Sequence, residues 1–209
     1  MVDTKERVSI VDIIRHGQCE GGEIYRGSTD VALTDIGWQQ MSLAAGRIDP
    51  RWQRIVSSPL IRCRDFAQSL ANQYRLPLLV EAGFREMHFG DWEGRALTEV
   101  WESDKETVSG FYRDPESVIP PGGEGAVKAR DRIAQAWTCL MNENAGDHLL
   151  LVCHGGTIRL LLSYLLQLPL ATIAQWHVPY ASLSRIKIFH RPEGDWPVLE
   201  YHNLLGASD

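Results

Sequence analysis

The chain has 209 residues, a hydrophobic fraction of 44%, a charged fraction of 23% and a formal net charge of −6. This length suits one domain with its own core, and the composition is typical of a soluble globular protein. The negative charge argues against a broad surface for nucleic acid or an acidic membrane, because both need a basic face. It leaves room for a local basic pocket that binds a small anion.

Strands and helices alternate along the chain, as judged from apolar runs and from helical spacing of apolar residues. Thr34 or Asp35 is the expected N-cap of the first helix. The predicted strands cover residues 8–14, 55–56, 78–80, 148–153, 182–189 and 198–202, and the predicted helices cover residues 34–47, 60–74, 126–141 and 157–168. This alternation predicts an α/β fold of three layers, with a mostly parallel sheet between helices.

Residues 83–125 interrupt this alternation. They are rich in glycine, proline and charge, and aromatic residues are scattered through them, among which are Trp92, Trp101, Phe111 and Tyr112. We interpret the segment as an irregular, lid-like insertion over the carboxyl edge of the sheet, within a single domain that spans residues 1–209. Its rings either stack on the base of a ligand or pack the insertion onto the sheet, and the sequence leaves both readings open.

The cysteines and the apolar runs bear on the cellular setting. The four cysteines form no metal or disulfide pattern. Cys63, Cys139 and Cys153 are expected to be small buried side chains, and Cys19 near His16 is interpreted as buried rather than reactive. The N-terminal residues show no signal-peptide pattern, and the longest apolar run, 160–168, is too short to cross a bilayer. We therefore expect a cytoplasmic protein without a membrane partner.

Two histidines follow predicted strands and precede glycines. His16 lies in Arg15-His16-Gly17 after the first strand, and His154 lies in His154-Gly155-Gly156 after the fourth. A single histidine in such a place is usually structural, but parallel strands bring their carboxyl ends to one edge of a sheet, where ligands bind. Gly155 also opens a predicted helix, whose free N–H groups favour an anion.

Two further stretches follow strands in the same manner. Arg62 lies in the first turn of a helix, where the dipole disfavours a cation, so it indicates an anionic partner; the alternative is a surface arginine with a packed stem. Residues 84–94 offer three carboxylates near aromatic neighbours, and Glu86 is among them. An apolar setting of this kind suits a carboxyl group that acts as a general acid.

Taken together, these motifs resemble the histidine phosphatase superfamily, also called phosphoglycerate-mutase-like. The matching stretches appear in the family's order and are Arg15-His16-Gly17, Leu33-Thr34-x-x-Gly37, Ser57-Ser58-Pro59-Leu60-x-Arg62, Glu86-Met87-x-Phe89-Gly90-x-Trp92-Glu93-Gly94, Pro121-Gly122-Gly123-Glu124 and His154-Gly155-Gly156. Within the superfamily the chain is most similar to α-ribazole-5′-phosphate phosphatases of cobalamin biosynthesis, through Glu20-Gly21-Gly22, Tyr25-Arg26-Gly27 and Gly37-Trp38-x-Gln40-Met41.

The resemblance implies a role for each matched residue. His16 would be the nucleophile that takes the phosphoryl group, and Glu86 would protonate the leaving alcohol. The phosphate would be bound by Arg15, Arg62 and His154, with Gly155, Gly22 and Arg26 as further substrate contacts. Two guanidinium groups would also keep the imidazole uncharged and neutralise the phosphate, so neither a metal nor another cofactor is expected.

One departure from the family concerns the phosphate contacts. Gly22 stands where many members have an asparagine that helps to hold the phosphate. Backbone amides of residues 20–22 are a possible replacement. The departure leaves the chemistry intact. It bears on the identity of the substrate.

The predicted activity is hydrolysis of a small phosphorylated metabolite through a phosphohistidine, with α-ribazole 5′-phosphate as the leading substrate. Two alternatives remain open. A phosphoglycerate-mutase-type phosphoryl transfer is disfavoured because such enzymes usually run longer, and a non-catalytic phospholigand-binding module is disfavoured because all five core residues are present. The sequence does not determine the oligomeric state.

Overall fold

The computed structural model describes residues 7–48 and 50–204. Its strands are β1 (Arg7–Arg15), β2 (Arg54–Ser57), β3 (Leu78–Val80), β4 (His148–Cys153), β5 (Leu183–Arg191) and β6 (Gly194–Tyr201). They form one sheet in the order β3-β2-β4-β1-β5-β6. The pairs β3–β2, β2–β4 and β4–β1 are parallel, whereas β5 runs antiparallel to both β1 and β6. The other five strands therefore share one direction, which confirms the mostly parallel sheet.

Helices cover both faces of this sheet. The helices are α1 (Asp35–Ala45), α2 (Ile61–Tyr74), α3 (Leu97–Ser103), α4 (Lys105–Arg113), α5 (Ala126–Glu143) and α6 (Gly155–Leu165). In β1, Ile13 packs with the cluster that contains α5 and α6, and Ile14 packs with the cluster that contains α1 and α2. Alternate strand residues point to opposite faces, so the predicted three-layer arrangement is confirmed.

Most helix ends lie near their predicted positions. Thr34 is the N-cap of α1, with its hydroxyl accepting from the Gly37 N–H at 3.0 Å. Helix α6 begins at Gly155, two residues before its predicted start, and ends at Leu165. The early start places the two glycines inside the first turn. In the described ranges, no helix combines the length and the apolar character needed to cross a bilayer.

The prediction that residues 83–125 are irregular is wrong for their central part, which contains α3 and α4. Helix α4 buries Val108, Gly110 and Phe111. Val108, Phe111 and Tyr112 have the i, i+3, i+4 spacing of a helical face, so the sequence carried a signal, but this signal spans little more than one turn. The four aromatic residues that the sequence analysis singled out differ in burial. Trp92 and Phe111 are buried in the core, whereas Trp101 and Tyr112 are 45% and 46% exposed.

The predicted burial of Cys139 is also wrong. Cys139 is exposed on α5, while Cys19, Cys63 and Cys153 are buried. The core-facing side of α5 carries Ala126, Ala129, Ile133, Trp137, Leu140 and Met141. Position 139 lies off this helical face, although its sequence neighbours are apolar.

Close packing of two glycines holds the loop after β1 in place. A Cβ atom on Gly17 would lie 2.3 Å from the Gly37 carbonyl oxygen, and one on Gly37 would lie 2.0 Å from the Gln18 carbonyl oxygen. Neither position accepts a larger side chain without moving backbone. The contact therefore fixes the Arg15-His16-Gly17 turn against the start of α1.

Candidate active site

The two motif histidines meet at the carboxyl edge of the sheet. Because β1 and β4 are adjacent and parallel, Arg15 pairs in register with Cys153, and each strand delivers its histidine one residue later. The ring centroids of His16 and His154 lie 5.3 Å apart in an edge-to-face arrangement. The sequence prediction that these strand ends converge is confirmed.

His16 is buried and holds a defined tautomer. Its Nδ1 lies 2.9 Å from the Gly17 carbonyl oxygen, which can only accept, so Nδ1 carries the proton and Nε2 keeps its lone pair. Burial lowers the pKa of His16 well below its usual value, and the charges of Arg15 and Arg62 lower it further. The imidazole is therefore neutral near pH 7, as a nucleophile requires.

Arg62 is completely buried, which rules out the alternative of a surface arginine. Its guanidinium donates to the carbonyl oxygens of Thr29 (2.9 Å), Gly27 (2.8 Å) and Arg26 (3.2 Å). Its Nε donates to Nδ1 of His154 at 3.2 Å. The arginine thus ties the loop of residues 26–29 to the second motif histidine.

Both ring nitrogens of His154 are engaged. Nδ1 accepts from Arg62, so Nε2 carries the proton and donates to the Ser58 hydroxyl at 2.7 Å. Burial lowers the pKa of His154 well below its usual value, and the charges of Arg62 and Arg15 add to this effect. A direct contact between His154 and a phosphate oxygen would require one of these hydrogen bonds to be exchanged, and its role in phosphate binding stays a prediction.

Arg15 and Arg26 each keep an unused N–H donor within the described residues. Arg15 stacks on the Tyr180 ring, 4.3 Å from its centroid, and donates through Nη1 to the Val178 carbonyl oxygen. Arg26 donates through Nη2 to the carbonyl oxygens of Glu20 and Gly22. Within the described residues, the buried Nε of each arginine has no hydrogen-bond partner. Two such cations are suited to an anionic ligand.

The N-terminus of α6 is occupied by a side chain of the protein itself, the carboxyl group of Glu86. Its oxygens accept from the N–H groups of Gly156 and Thr157, each at 2.9 Å, and from the Met87 N–H at 3.1 Å. The sequence predicted an external anion at this helix start. A Cβ atom on Gly156 would lie 2.6 Å from Glu86 Oε1, so glycine leaves the space that the carboxyl group fills.

A buried ion pair places the segment that carries Glu86. Arg132 on α5 donates to both carboxylate oxygens of Glu124, at 3.0 and 2.7 Å. The same guanidinium donates to the carbonyl oxygens of Gly83 and Arg85, the residue before Glu86. The Glu124 of the Pro-Gly-Gly-Glu motif is thereby linked to the position of Glu86.

These groups surround a cavity of about 430 Å³, a size typical of small-molecule sites. Of the predicted site residues, Arg15, His16, Arg26, Glu86 and Gly155 line it. Across the described part of the chain, Arg62 and His154 lie behind this wall rather than on it. Gly22 is exposed and lies outside the cavity, because the loop of residues 20–22 turns its carbonyls toward Arg26.

Sequence reasoning missed several cavity residues. Tyr180 lies in a loop, and no pattern singles it out. Arg159 lies one turn after Gly155 on α6, where the helical spacing was a usable signal, and its Nε donates to the Trp176 carbonyl oxygen. The rest of the wall is apolar and comes largely from the insertion and from the turn Leu170–Gln175; these residues include Leu97, Phe111, Tyr112, Ile173 and Ala174.

The site and the fold define a class of protein: an α/β protein whose parallel-strand edge surrounds a neutral histidine with arginines, the arrangement that phosphoryl transfer needs. The model of the histidine phosphatase superfamily (branch 1) matches residues 11–203. The chain belongs to this family, which confirms the predicted resemblance. Among the described residues, no group of three His, Cys, Asp or Glu side chains is placed to hold a metal ion.

Proteins of similar sequence carry different functional names. A bifunctional protein of Mycobacterium tuberculosis is 33% identical over 176 residues, which are 82% of this chain and 48% of the relative; this chain thus spans about half of that protein. A glucosyl-3-phosphoglycerate phosphatase of Mycolicibacterium vanbaalenii is 34% identical, over 78% of this chain and 76% of the relative. An adenosylcobalamin/α-ribazole phosphatase of Salmonella typhimurium is 28% identical, over 84% and 89%.

A solved structure agrees with these matches. The native structure of a mycobacterial glucosyl-3-phosphoglycerate phosphatase superposes with a TM-score of 0.83 at 27% sequence identity, covering 94% of this chain and 99% of that one. The similarity extends over nearly the whole of both chains, so the fold neighbours agree with the family assignment.

Proposed function

We propose that the chain is a phosphomonoester hydrolase that acts through a phosphohistidine on His16. The observation that carries this proposal is the neutral, buried imidazole whose Nδ1–H is held by the Gly17 carbonyl oxygen. This hydrogen bond leaves Nε2 as the only ring atom with a free lone pair. Arg15 and Arg26, whose Nε–H groups have no hydrogen-bond partner within the described residues, line the same cavity, and we assign them to the phosphate oxygens.

The reaction has two steps. In the first, the Nε2 lone pair of His16 forms the N–P bond while the P–O bond to the alcohol breaks, and the protonated carboxyl group of Glu86 gives its proton to the leaving oxygen. In the second, water attacks phosphorus, Glu86 accepts the water's proton, and the electron pair of the N–P bond returns to Nε2. Glu86 supports both steps because it lines the cavity together with His16.

The phosphohistidine can be tested directly. The protein is mixed with a ³²P-labelled phosphomonoester, quenched within milliseconds and separated by gel. We expect an acid-labile, alkali-stable label on the wild type and none on His16→Ala, which should also lose hydrolysis. A His16→Ala variant as active as the wild type would refute the proposal. Phosphate binding without turnover would favour a non-catalytic phospholigand module instead.

For the substrate, we propose a phosphomonoester whose leaving alcohol carries a flat, mainly apolar group, with α-ribazole 5′-phosphate as the leading candidate. Leu97, Phe111 and Tyr112 are among the residues that line the cavity. A flat aromatic ring can pack against these side chains more closely than a glucosyl group can. The named relatives include both an α-ribazole phosphatase and a glucosyl-3-phosphoglycerate phosphatase.

A comparison of specificity constants decides between these substrates. We expect the kcat/KM of α-ribazole 5′-phosphate to exceed that of glucosyl-3-phosphoglycerate. Higher kcat/KM for the sugar ester would overturn the apolar assignment while leaving the phosphatase proposal intact. Interconversion of 2- and 3-phosphoglycerate with negligible hydrolysis would instead favour a mutase.

A further inference from the structure

Glu93, a carboxylate of the insertion, accepts hydrogen bonds from the loop of residues 27–29. Its two oxygens accept from the backbone N–H groups of Gly27 (3.2 Å), Ser28 (2.8 Å) and Thr29 (2.9 Å) and from the hydroxyl of Thr29 (2.5 Å). They also accept from the Phe89 N–H at 2.9 Å. Burial raises the pKa of Glu93, but these hydrogen bonds outweigh burial and leave the pKa below its usual value.

The same loop gives its carbonyl groups to Arg62. The carbonyl oxygens of residues 26, 27 and 29 all accept from this guanidinium. The loop therefore lies between an anion on its N–H side and a cation on its C=O side. Each peptide group polarised in this way strengthens its neighbour's hydrogen bond.

Little room exists for the loop to move. A Cβ atom on Gly27 would lie 2.0 Å from the Met87 carbonyl oxygen and 2.3 Å from Glu93 Oε1. Glycine is required for this close approach. The loop thus packs against the insertion at Glu93, and Arg62 packs against the loop.

We propose that Glu93 is a positioning residue for the active site: it holds the loop of residues 26–29 so that Arg62 stays beside His154 and Arg26 stays on the cavity wall. The inference rests on the proposed phosphatase function. Glu93 itself is not among the residues that line the cavity, so it acts through the two arginines. Without its charge, the loop loses the anion that its N–H groups face, and Arg62 loses its fixed acceptors.

The charge environment of His16 gives a readout that a purely structural role of Glu93 would not change. Arg62 is one of the cations that disfavour protonation of His16, so displacement of Arg62 raises the pKa of His16. The titratable groups around the imidazole are Arg15, Cys19, Arg26, Arg62, His154 and Tyr180, and Glu86 lies across the same cavity. Substitution of Glu93 alters none of these side chains, so a shift in the pKa of His16 reports a change in where they lie.

The experiment uses Glu93→Gln and, as a matched control, Glu99→Gln. Glu99 is an exposed glutamate of the same insertion that pairs only with Arg95 among the described ion pairs. For Glu93→Gln we expect kcat/KM to fall by about 10- to 100-fold, the usual effect of a small misplacement of catalytic groups. We also expect the NMR titration of the His16 ring, assigned by comparison with His16→Ala, to move to higher pH. Glu99→Gln should match the wild type in both measurements.

Two further variants keep the test informative if Glu93→Gln unfolds. Glu93→Asp retains the charge and should recover part of the lost activity, and Thr29→Val removes one hydrogen bond to Glu93 and should shift both measurements in the same direction by less. A folded Glu93→Gln with wild-type kcat/KM, or with an unchanged His16 titration, would overturn the inference. If the wild type forms no phosphohistidine, the proposed function fails, whereas the His16 titration still reports on Glu93.

Discussion

At His16, the sequence places an imidazole where both burial and positive charge oppose its protonation. The pKa of the ring is lowered first by burial and then by Arg15 and Arg62. The Gly17 carbonyl oxygen works in the opposite direction, because it accepts from Nδ1 and favours the protonated ring. The outcome is a neutral ring with one free nitrogen, and Glu86 on the α6 N-terminus is the acid that we propose complements it.

Substitution of Glu86 separates proton donation from phosphate binding. Glu86→Gln should lower kcat by roughly 10²–10⁴-fold for an alkyl phosphate, because the alkoxide then leaves without its proton. For 4-nitrophenyl phosphate, whose leaving group needs no proton, the first step should change little. Stopped-flow and steady-state rates with both substrates measure this contrast. Glu23→Gln, which also lines the cavity, is the control, and an equal loss with both substrates in the rate of the first step would remove Glu86 from the role of acid.

At the scale of elements, β1 is anchored at its centre by a buried carboxylate. Asp12 accepts from the Trp52 indole at 2.8 Å, from His148 at 2.7 Å and from Arg185 at 2.7 and 3.1 Å. These donors come from the segment before β2, from β4 and from β5. Burial raises the pKa of Asp12, but the hydrogen bonds from His148, Arg185 and Trp52 outweigh burial and leave the pKa below its usual value.

This anchor makes stability depend on pH in a defined direction. Because the folded state lowers the pKa of Asp12, its stabilisation is complete above the unfolded value and is lost as pH falls through the folded value. Asp12→Asn should lower the free energy of unfolding at pH 7 by about 3 kcal/mol, and the difference from the wild type should shrink in acid. Urea unfolding at pH 7 and at a series of pH values from 4 down to 2 measures it.

Asp195→Asn provides the matched control for this anchor. Asp195 pairs with His190 at the surface and is half exposed, so its loss should change stability by no more than about 0.5 kcal/mol. A difference between Asp12→Asn and the wild type that stays constant from pH 7 to pH 2 would contradict the ionised state assigned to Asp12.

At the scale of the whole molecule, the cavity is shared between the sheet edge and the insertion. The sheet edge supplies Arg15 and His16, and α4 supplies Phe111 and Tyr112. Tyr112 lies at the mouth of the cavity, where its ring is partly exposed. The proposed nucleophile and the rings proposed to recognise the leaving group therefore lie on different parts of the chain, which can be altered separately.

Tyr112→Ala tests this division. For a phosphomonoester with an aromatic alcohol, we expect KM to rise about tenfold with little change in kcat, because the lost contact is the same in ground and transition states. Hydrolysis of ethyl phosphate should be unaffected. Trp101→Ala, an equally exposed ring of α3 outside the cavity wall in the described structure, should behave like the wild type. A fall in kcat with both substrates would contradict the separation.

Local motifs predicted much of the site because each follows a strand and each strand's end has a fixed place in a parallel sheet. The approach of His16 to His154 follows from this rule. The shielding of Arg62 and His154 behind the cavity wall does not, because their partners are backbone carbonyls of residues 26–29 and a serine hydroxyl. Such contacts depend on the path of a loop, which no periodicity encodes.

What the sequence by itself determined is the chemistry: the α/β alternation, the histidines and arginines at strand ends, and the glycines that permit tight turns. Only the tertiary structure decided which groups share a contact. It assigned the α6 N-terminus to Glu86 instead of an external anion, turned residues 20–22 toward Arg26, and folded the insertion into α3 and α4. The reason is physical: strand and helix patterns report burial along one element, whereas hydrogen bonds across elements depend on packing between residues far apart in the chain.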